Sequence, residues 1–183
     1  MAKKFTFAII ALLMSASAVT SADPFVGKWR MSVARSKYPA GTCPTRMVIE
    51  MRPAGQGIWY HSDSKFKNGA EIHAQYTADY DGKQVIVMST HGLLLPVSLK
   101  RINPYTVEAS YSRGMQVFAT SRREVSLDGR RMTITTVSKD GSGKNVKSIG
   151  IYFKDESFLD LKQSAADEAT QSNSARASLA QKP

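Results

Sequence analysis

From residue 46 onward, apolar and polar positions alternate. Met47, Ile49 and Met51 are spaced two apart with Glu50 between the last pair, the period of a strand with one buried face. Runs rich in Val, Ile, Thr and Tyr follow, separated by Pro53-Ala54-Gly55, Asn68-Gly69, Asp81-Gly82, Asn103-Pro104, Arg113-Gly114, Asp128-Gly129 and Asp140-Gly141. Asn-Gly and Asp-Gly supply the positive φ angles of tight hairpin turns. The pattern predicts ten strands, near residues 26–33, 46–52, 57–66, 70–79, 83–88, 97–102, 105–112, 115–125, 130–138 and 144–154. Nearly every link is short enough for a hairpin, and no helical stretch of ~10–15 residues separates the strands, which excludes an α/β enzyme fold. An antiparallel meander this long buries its apolar face and loses its exposed edges by closing on itself. The expected fold is therefore all-β, a single antiparallel up-and-down β-barrel of 8–10 strands. Residues 35–45 break the period, carry Pro39 and Pro44, and are expected to form a loop over a barrel mouth. Residues 155–183 are low in complexity and poor in apolar side chains, so a disordered or weakly helical C-terminal tail is expected there.

Hairpin parity assigns faces. A two-residue loop at Asn68-Gly69 pairs Lys67 with Ala70 and places Trp59, His61 and Asp63 on one face with Ile72, Ala74, Tyr76 and Ala78. A turn at Asp81-Gly82 adds Val85 and Val87 to that face, which is the more apolar and so the expected interior. His73 then points outward, and the two histidines are not expected to share a metal. The turn at Asp128-Gly129 pairs Leu127 with Arg130, turning Arg123 inward beside Met132 and Ile134 and Arg122 outward. The candidate cavity lining is thus Trp59, His61, Tyr76, Val85, Val87, Arg123, Met132 and Ile134. Ahead of it, Phe25-Val26-Gly27-Lys28-Trp29 supplies two structural residues: Gly27 lets the backbone pass close to a neighbour, and Trp29 plugs one barrel end.

Composition narrows the setting. Lys3-Lys4, an apolar run to Met14 and small residues ending in Thr20-Ser21-Ala22 read as a cleavable signal peptide over residues 1–22, with Ala18 as a second cleavage point. The apolar run is too short for the ~20 residues of a spanning helix, so export to the periplasm or beyond is expected, without a membrane span. Residues 23–154 are then one domain. Cys43 is the single cysteine, so no internal disulfide is possible. The formal charge is +10, and residues 23–154 hold 20 Lys and Arg against 10 Asp and Glu. Such a surface attracts acidic polysaccharide or anionic small molecules, while the scatter of the charges and the expected export exclude nucleic acid. No nucleophile elbow, zinc-hydrolase pair, phosphate loop or Cys–His arrangement is present. No catalytic residue, metal or cofactor is expected, and the chain is not expected to be an enzyme.

With Gly27-x-Trp29 leading one meander of hairpins, the chain resembles the calycin superfamily, the lipocalins and fatty-acid-binding proteins. Ten strands within residues 23–154 fit the fatty-acid-binding type better than the eight-stranded lipocalin. Gly27-Lys28-Trp29 with Ala34-Arg35-Ser36-Lys37-Tyr38, Val97-Ser98-Leu99-Lys100-Arg101-Ile102, Thr106-Val107-Glu108 and Ser126-Leu127-Asp128-Gly129 are similar to a bacterial family of small secreted lipocalin-like proteins of unassigned function. In this chain a Pro-rich loop stands where fatty-acid-binding proteins carry two lid helices. In Ile149-Gly150-Ile151-Tyr152, Gly150 stands where their carboxylate-holding arginine would be. The resemblance implies two uses for Arg123: stacking on the Trp29 indole, the use expected first, or holding an anionic head group. It also implies a monomeric, non-catalytic binder of a small apolar or amphiphilic molecule. Two alternatives are an envelope module meeting acidic polysaccharide or a protein partner through its basic outer surface, and a barrel simply filled by its own side chains.

Overall fold

The alternation read from the sequence becomes one continuous antiparallel sheet. The computed structural model describes residues 23–90, 92–93 and 95–155; the expected signal peptide, His91 and the tail beyond Asp155 lie outside the described residues. The strands are β1 Gly27–Met31, β2 Arg46–Ala54, β3 Gly57–Lys65, β4 Glu71–Asp79, β5 Asp81–Val85, β6 Met88–Ser89, β7 Gly92–Leu93, β8 Val97–Asn103, β9 Thr106–Arg113, β10 Gln116–Val125, β11 Arg131–Lys139 and β12 Asn145–Lys154. A 3-10 turn, Val33–Arg35, follows β1. Each of the ten expected strands is present. The short β6–β7 pair was not expected and docks on β4 through Ala74 and Gln75.

In the sheet the order runs β5-β8-β9-β10-β11-β12-β1-β2-β3-β4-β6-β7. The first strand pairs with both the last and the second, so the meander curls into an up-and-down barrel. Its two ends return to each other where β4 runs through Tyr80 into β5. Among the described residues no backbone ladder joins β4 to β5, because β5 pairs with β8 instead. The Asp81-Gly82 turn expected as a hairpin is therefore a corner at an open seam, with the Asp81 carboxylate accepting the Lys83 N–H at 2.9 Å.

One register departs from expectation and inverts a face. Phe66 N–H bonds the Ala70 carbonyl at 2.9 Å, and Gly69 N–H bonds the Phe66 carbonyl at 3.0 Å, with Gly69 at φ +84°. The β3–β4 loop thus has three residues, a tight turn followed by a left-handed glycine. Tyr60 pairs with Tyr76, and His61 with Gln75. Because side chains alternate with period two, the odd loop turns Ile58, Tyr60 and Ser62 inward and Trp59, His61 and Asp63 outward. At the β10–β11 turn, Ser126 N–H bonds the Arg131 carbonyl at 2.8 Å around a four-residue loop. That even number preserves the expected parity, and Arg123 faces inward opposite Ile134.

The lower half of the interior is packed solid. Trp29, Ile49, Met51, Ile58, Val97, Leu99, Val107 and Met132 are each no more than 1% exposed. Trp29 closes this end and donates its indole N–H to the Phe25 carbonyl at 2.9 Å. The cation stacked on it is Lys154, with Nζ 4.8 Å from the ring centroid, rather than Arg123. Gly27 makes room for that side chain: it has φ +134°, and a Cβ there would stand 3.1 Å from Lys154 Cε. Asp23 locks the same end, accepting from Arg101 Nη2 and from the Tyr80 hydroxyl, the latter at 2.9 Å. Arg101 in turn lies 3.8 Å above the Tyr80 ring, so the chain start, β8 and the seam corner are held as one cluster.

Candidate functional site

The upper half of the barrel is hollow. A cavity of about 260 Å³ lies between the strand ends and the loop of residues 36–45. Its apolar wall is Met47, Phe66, Ile134 and the rings of Tyr111 and Tyr152. Ser121, Thr136 and Ser148 line the β10–β12 side, and Ser121 and Thr136 share a hydrogen bond at 2.8 Å. Tyr38, Thr42 and Pro44 come down from the loop.

That loop is anchored at both ends. Lys37 and Ile149 exchange backbone bonds of 2.8 and 2.7 Å, the Ile151 N–H bonds Ser36 Oγ at 3.0 Å, and the Thr45 N–H bonds the Lys65 carbonyl at 2.8 Å. Gly150 sets how closely the loop packs. A Cβ there would meet Tyr152 Cε2 at 2.7 Å and the Tyr38 hydroxyl at 3.0 Å, so glycine is what lets both rings stand at the mouth. The Tyr152 hydroxyl points at Met47 Sδ, 3.1 Å away.

Arg123 forms the polar floor of the cavity. Its side chain rises from β10 and is 2% exposed. The guanidinium carbon lies 4.9 Å above the Tyr60 ring, and Nη2 donates to the Tyr111 hydroxyl at 3.1 Å. Among the described residues Nε and Nη1 make no hydrogen bond of good geometry, although the Tyr76 hydroxyl lies close enough to the guanidinium to interact with it. Tyr60 and Tyr76 stack with centroids 4.7 Å apart, so the cation rests on a two-ring platform. Burial pushes the Tyr60 hydroxyl up to about 12 against the opposing pull of Arg123, and pushes Tyr76 and Tyr152 well above the ordinary tyrosine value. These hydroxyls are neutral donors and acceptors at neutral pH, whereas arginine stays charged. The site therefore carries one uncompensated positive charge with donors to spare, enclosed by rings and aliphatic groups.

Of the residues expected to line a cavity, Arg123 and Ile134 do so. Tyr76, Val85, Val87 and Met132 face the interior but belong to the packed core. Trp59 and His61 do not line it: the odd β3–β4 loop puts them on the outer surface, where their rings stack at 5.7 Å with Arg52 over Trp59 at 4.9 Å. The same correction applies to the histidines, since His61 and His73 share the outer face with Asp63. Tyr60, Tyr111 and Tyr38 were not anticipated. Tyr60 was hidden by parity, Tyr111 was legible from its alternation with Val107 and Ala109, and Tyr38 sits in a loop without a period.

No family model matches the chain, and no curated protein matches it. Among solved structures, it is similar to the zebrafish ileal bile acid-binding protein complexed with cholic acid, at 14% identity and a TM-score of 0.48, over 72% of this chain and 99% of that one.

Proposed function

We propose that the protein binds a small anionic amphiphile in the upper half of its barrel, the anion meeting Arg123 and the apolar body lying against Met47, Ile134, Phe66 and Tyr152. One observation carries the reading: a fully buried guanidinium opens onto a cavity and makes no ion pair among the described residues. An isolated buried charge costs several kcal/mol. An incoming carboxylate or similar oxyanion would offset that cost through bidentate hydrogen bonds, for which arginine is shaped. At about 260 Å³ the cavity falls just under the ~300–1,000 Å³ of sites for drug-sized ligands, which favours a short-chain or single-ring molecule.

The sequence of residues 1–22 supports the further proposal that this binding takes place outside the cytoplasm, after the leader is removed. Mass spectrometry of protein recovered from its own host tests both, through the mass of the mature chain and of any retained small molecule. A thermal-shift comparison of medium-chain carboxylates with the matching alcohols tests the chemistry. The carboxylate at about 100 times its Kd is expected to stabilise by roughly 2.7 kcal/mol, and the alcohol by little. Equal effects of acid and alcohol, or none from either, would sink the role given to Arg123.

A further inference from the structure

The three-residue β3–β4 loop that turned His61 away from the cavity gathers a second group of side chains on the outside. His61 and Asp63 lie two apart on β3, and His73 is directly across from Asp63 on β4. One nitrogen from each imidazole and one carboxylate oxygen stand within 4.8 Å of one another. His61 Nε2 is 3.4 Å from Asp63 Oδ1, and the same oxygen is in hydrogen-bond contact with His73 Nδ1. We propose that His61, Asp63 and His73 form a surface site for a divalent transition ion of the Zn2+ class, independent of the interior cavity.

Three features of the surroundings suit such a site. The donors are two imidazoles and a carboxylate, a set preferred by Zn2+ and its transition neighbours over Mg2+ or Ca2+, which favour all-oxygen shells. Three protein ligands leave a coordination position open, as zinc sites that receive water or an exogenous anion do. The ligands are also held in place. The His61 ring stacks on Trp59 with an interplanar angle of 11°. The His73 backbone is fixed from the other side by Thr90, just past β6, its N–H bonding Thr90 Oγ1 and its carbonyl accepting the Thr90 N–H, both at 3.3 Å. Clefts of about 230 and 260 Å³ flank the cluster, one reaching Arg46, Lys65 and Glu71 and the other Met88 and Ser89. The open position therefore faces solvent space and is accessible to water, and the Lys65 ammonium beside it is already paired with Glu71 at 2.9 Å.

Calorimetric titration of the mature chain with Zn2+, Co2+, Mg2+ and Ca2+ tests the site, together with the visible spectrum of the Co2+ form. The expected result is one Zn2+ or Co2+ per chain, an intense Co2+ d–d band of low coordination number, and no heat from Mg2+ or Ca2+. His61→Ala, His73→Ala and Asp63→Asn should each weaken binding at least 10-fold, while Arg123→Met leaves it unchanged. Circular dichroism of each variant establishes that the barrel is intact. The proposal is overturned by no stoichiometric Zn2+ binding, by affinity that survives the His61→Ala/His73→Ala double change, or by one ion per two chains with Zn2+-dependent dimerisation.

Discussion

Arg123 and Gly150 decide at the scale of single residues whether the barrel is a container. Arg123 is a buried cation held by the Tyr111 hydroxyl and the Tyr60 and Tyr76 rings, with no carboxylate against it among the described residues. A buried charge without a counter-ion carries a desolvation cost that a well-packed apolar group of similar volume does not. Arg123→Met should therefore leave the ligand-free denaturation midpoint unchanged or raise it, while abolishing the thermal shift produced by a carboxylate. A variant that lost several kcal/mol without ligand would make Arg123 a structural residue instead. Gly150 works on the other wall. A methyl group there must displace Tyr152 or Tyr38, and overpacking of this kind costs roughly 1–3 kcal/mol. Gly150→Ala is expected to lower stability by that amount and to narrow the mouth, seen as slower dye entry in stopped-flow fluorescence.

At the scale of elements, the turns govern everything else. Period-two alternation and Asn-Gly or Asp-Gly pairs located the ten long strands, because those residues are chosen by backbone angles that local sequence controls. The number of residues in each loop was less legible: Asn68-Gly69 serves a two-residue loop or ends a three-residue one, and only the packed faces distinguish the two. The cost of that ambiguity was the whole face of β3, so Trp59 and His61 were placed inside and Tyr60 outside. At Asp128-Gly129 the true loop has four residues, and even parity placed Arg123 correctly although the turn itself differs. The hollow was legible only in part. Arg123 and Ile134 followed from parity, whereas Tyr38 reaches the mouth through a loop bridge to Ile149 that no local pattern announces. Deleting Lys67 tests the point directly. It leaves Phe66 paired with Ala70 around a two-residue Asn68-Gly69 loop, so Tyr60 still stands opposite Tyr76 and every side chain of β3 keeps its face. A folded, cooperatively unfolding barrel is expected, less stable by about 0.5–3 kcal/mol in urea titration followed by circular dichroism. Loss of the folded state would mean that the three-residue turn, rather than the packed faces, holds the register.

Across the whole molecule, the two barrel ends are held by different chemistry, and both respond to alkaline pH. The closed end joins Asp23, Arg101 and Tyr80 across the seam, where among the described residues no ladder holds β4 to β5. The open end rests on Tyr60, Tyr76 and Tyr152 around the Arg123 cation. Burial raises the titration of each of these tyrosines; for Tyr80 the Asp23 carboxylate adds to it, and for Tyr60 the result is about 12. Folding therefore favours the protonated phenols, while an unfolded chain ionises them near ~10. A raised folded value contributes stability that is complete below the unfolded value and is lost as pH rises through the folded one. For Tyr60 alone the window runs from ~10 to about 12 and is worth on the order of 2 kcal/mol. Several such groups at both ends should make the loss steep. The urea midpoint is expected to be insensitive to these tyrosines below pH ~10 and to fall sharply above it, and the later phase of tyrosinate absorbance should coincide with loss of the β-sheet signal. Tyr60→Phe, which keeps the ring under Arg123 and removes the ionisable group, should soften that fall. An unchanged profile in that variant would mean that the alkaline transition begins at the seam, with Tyr80 as the group to change next.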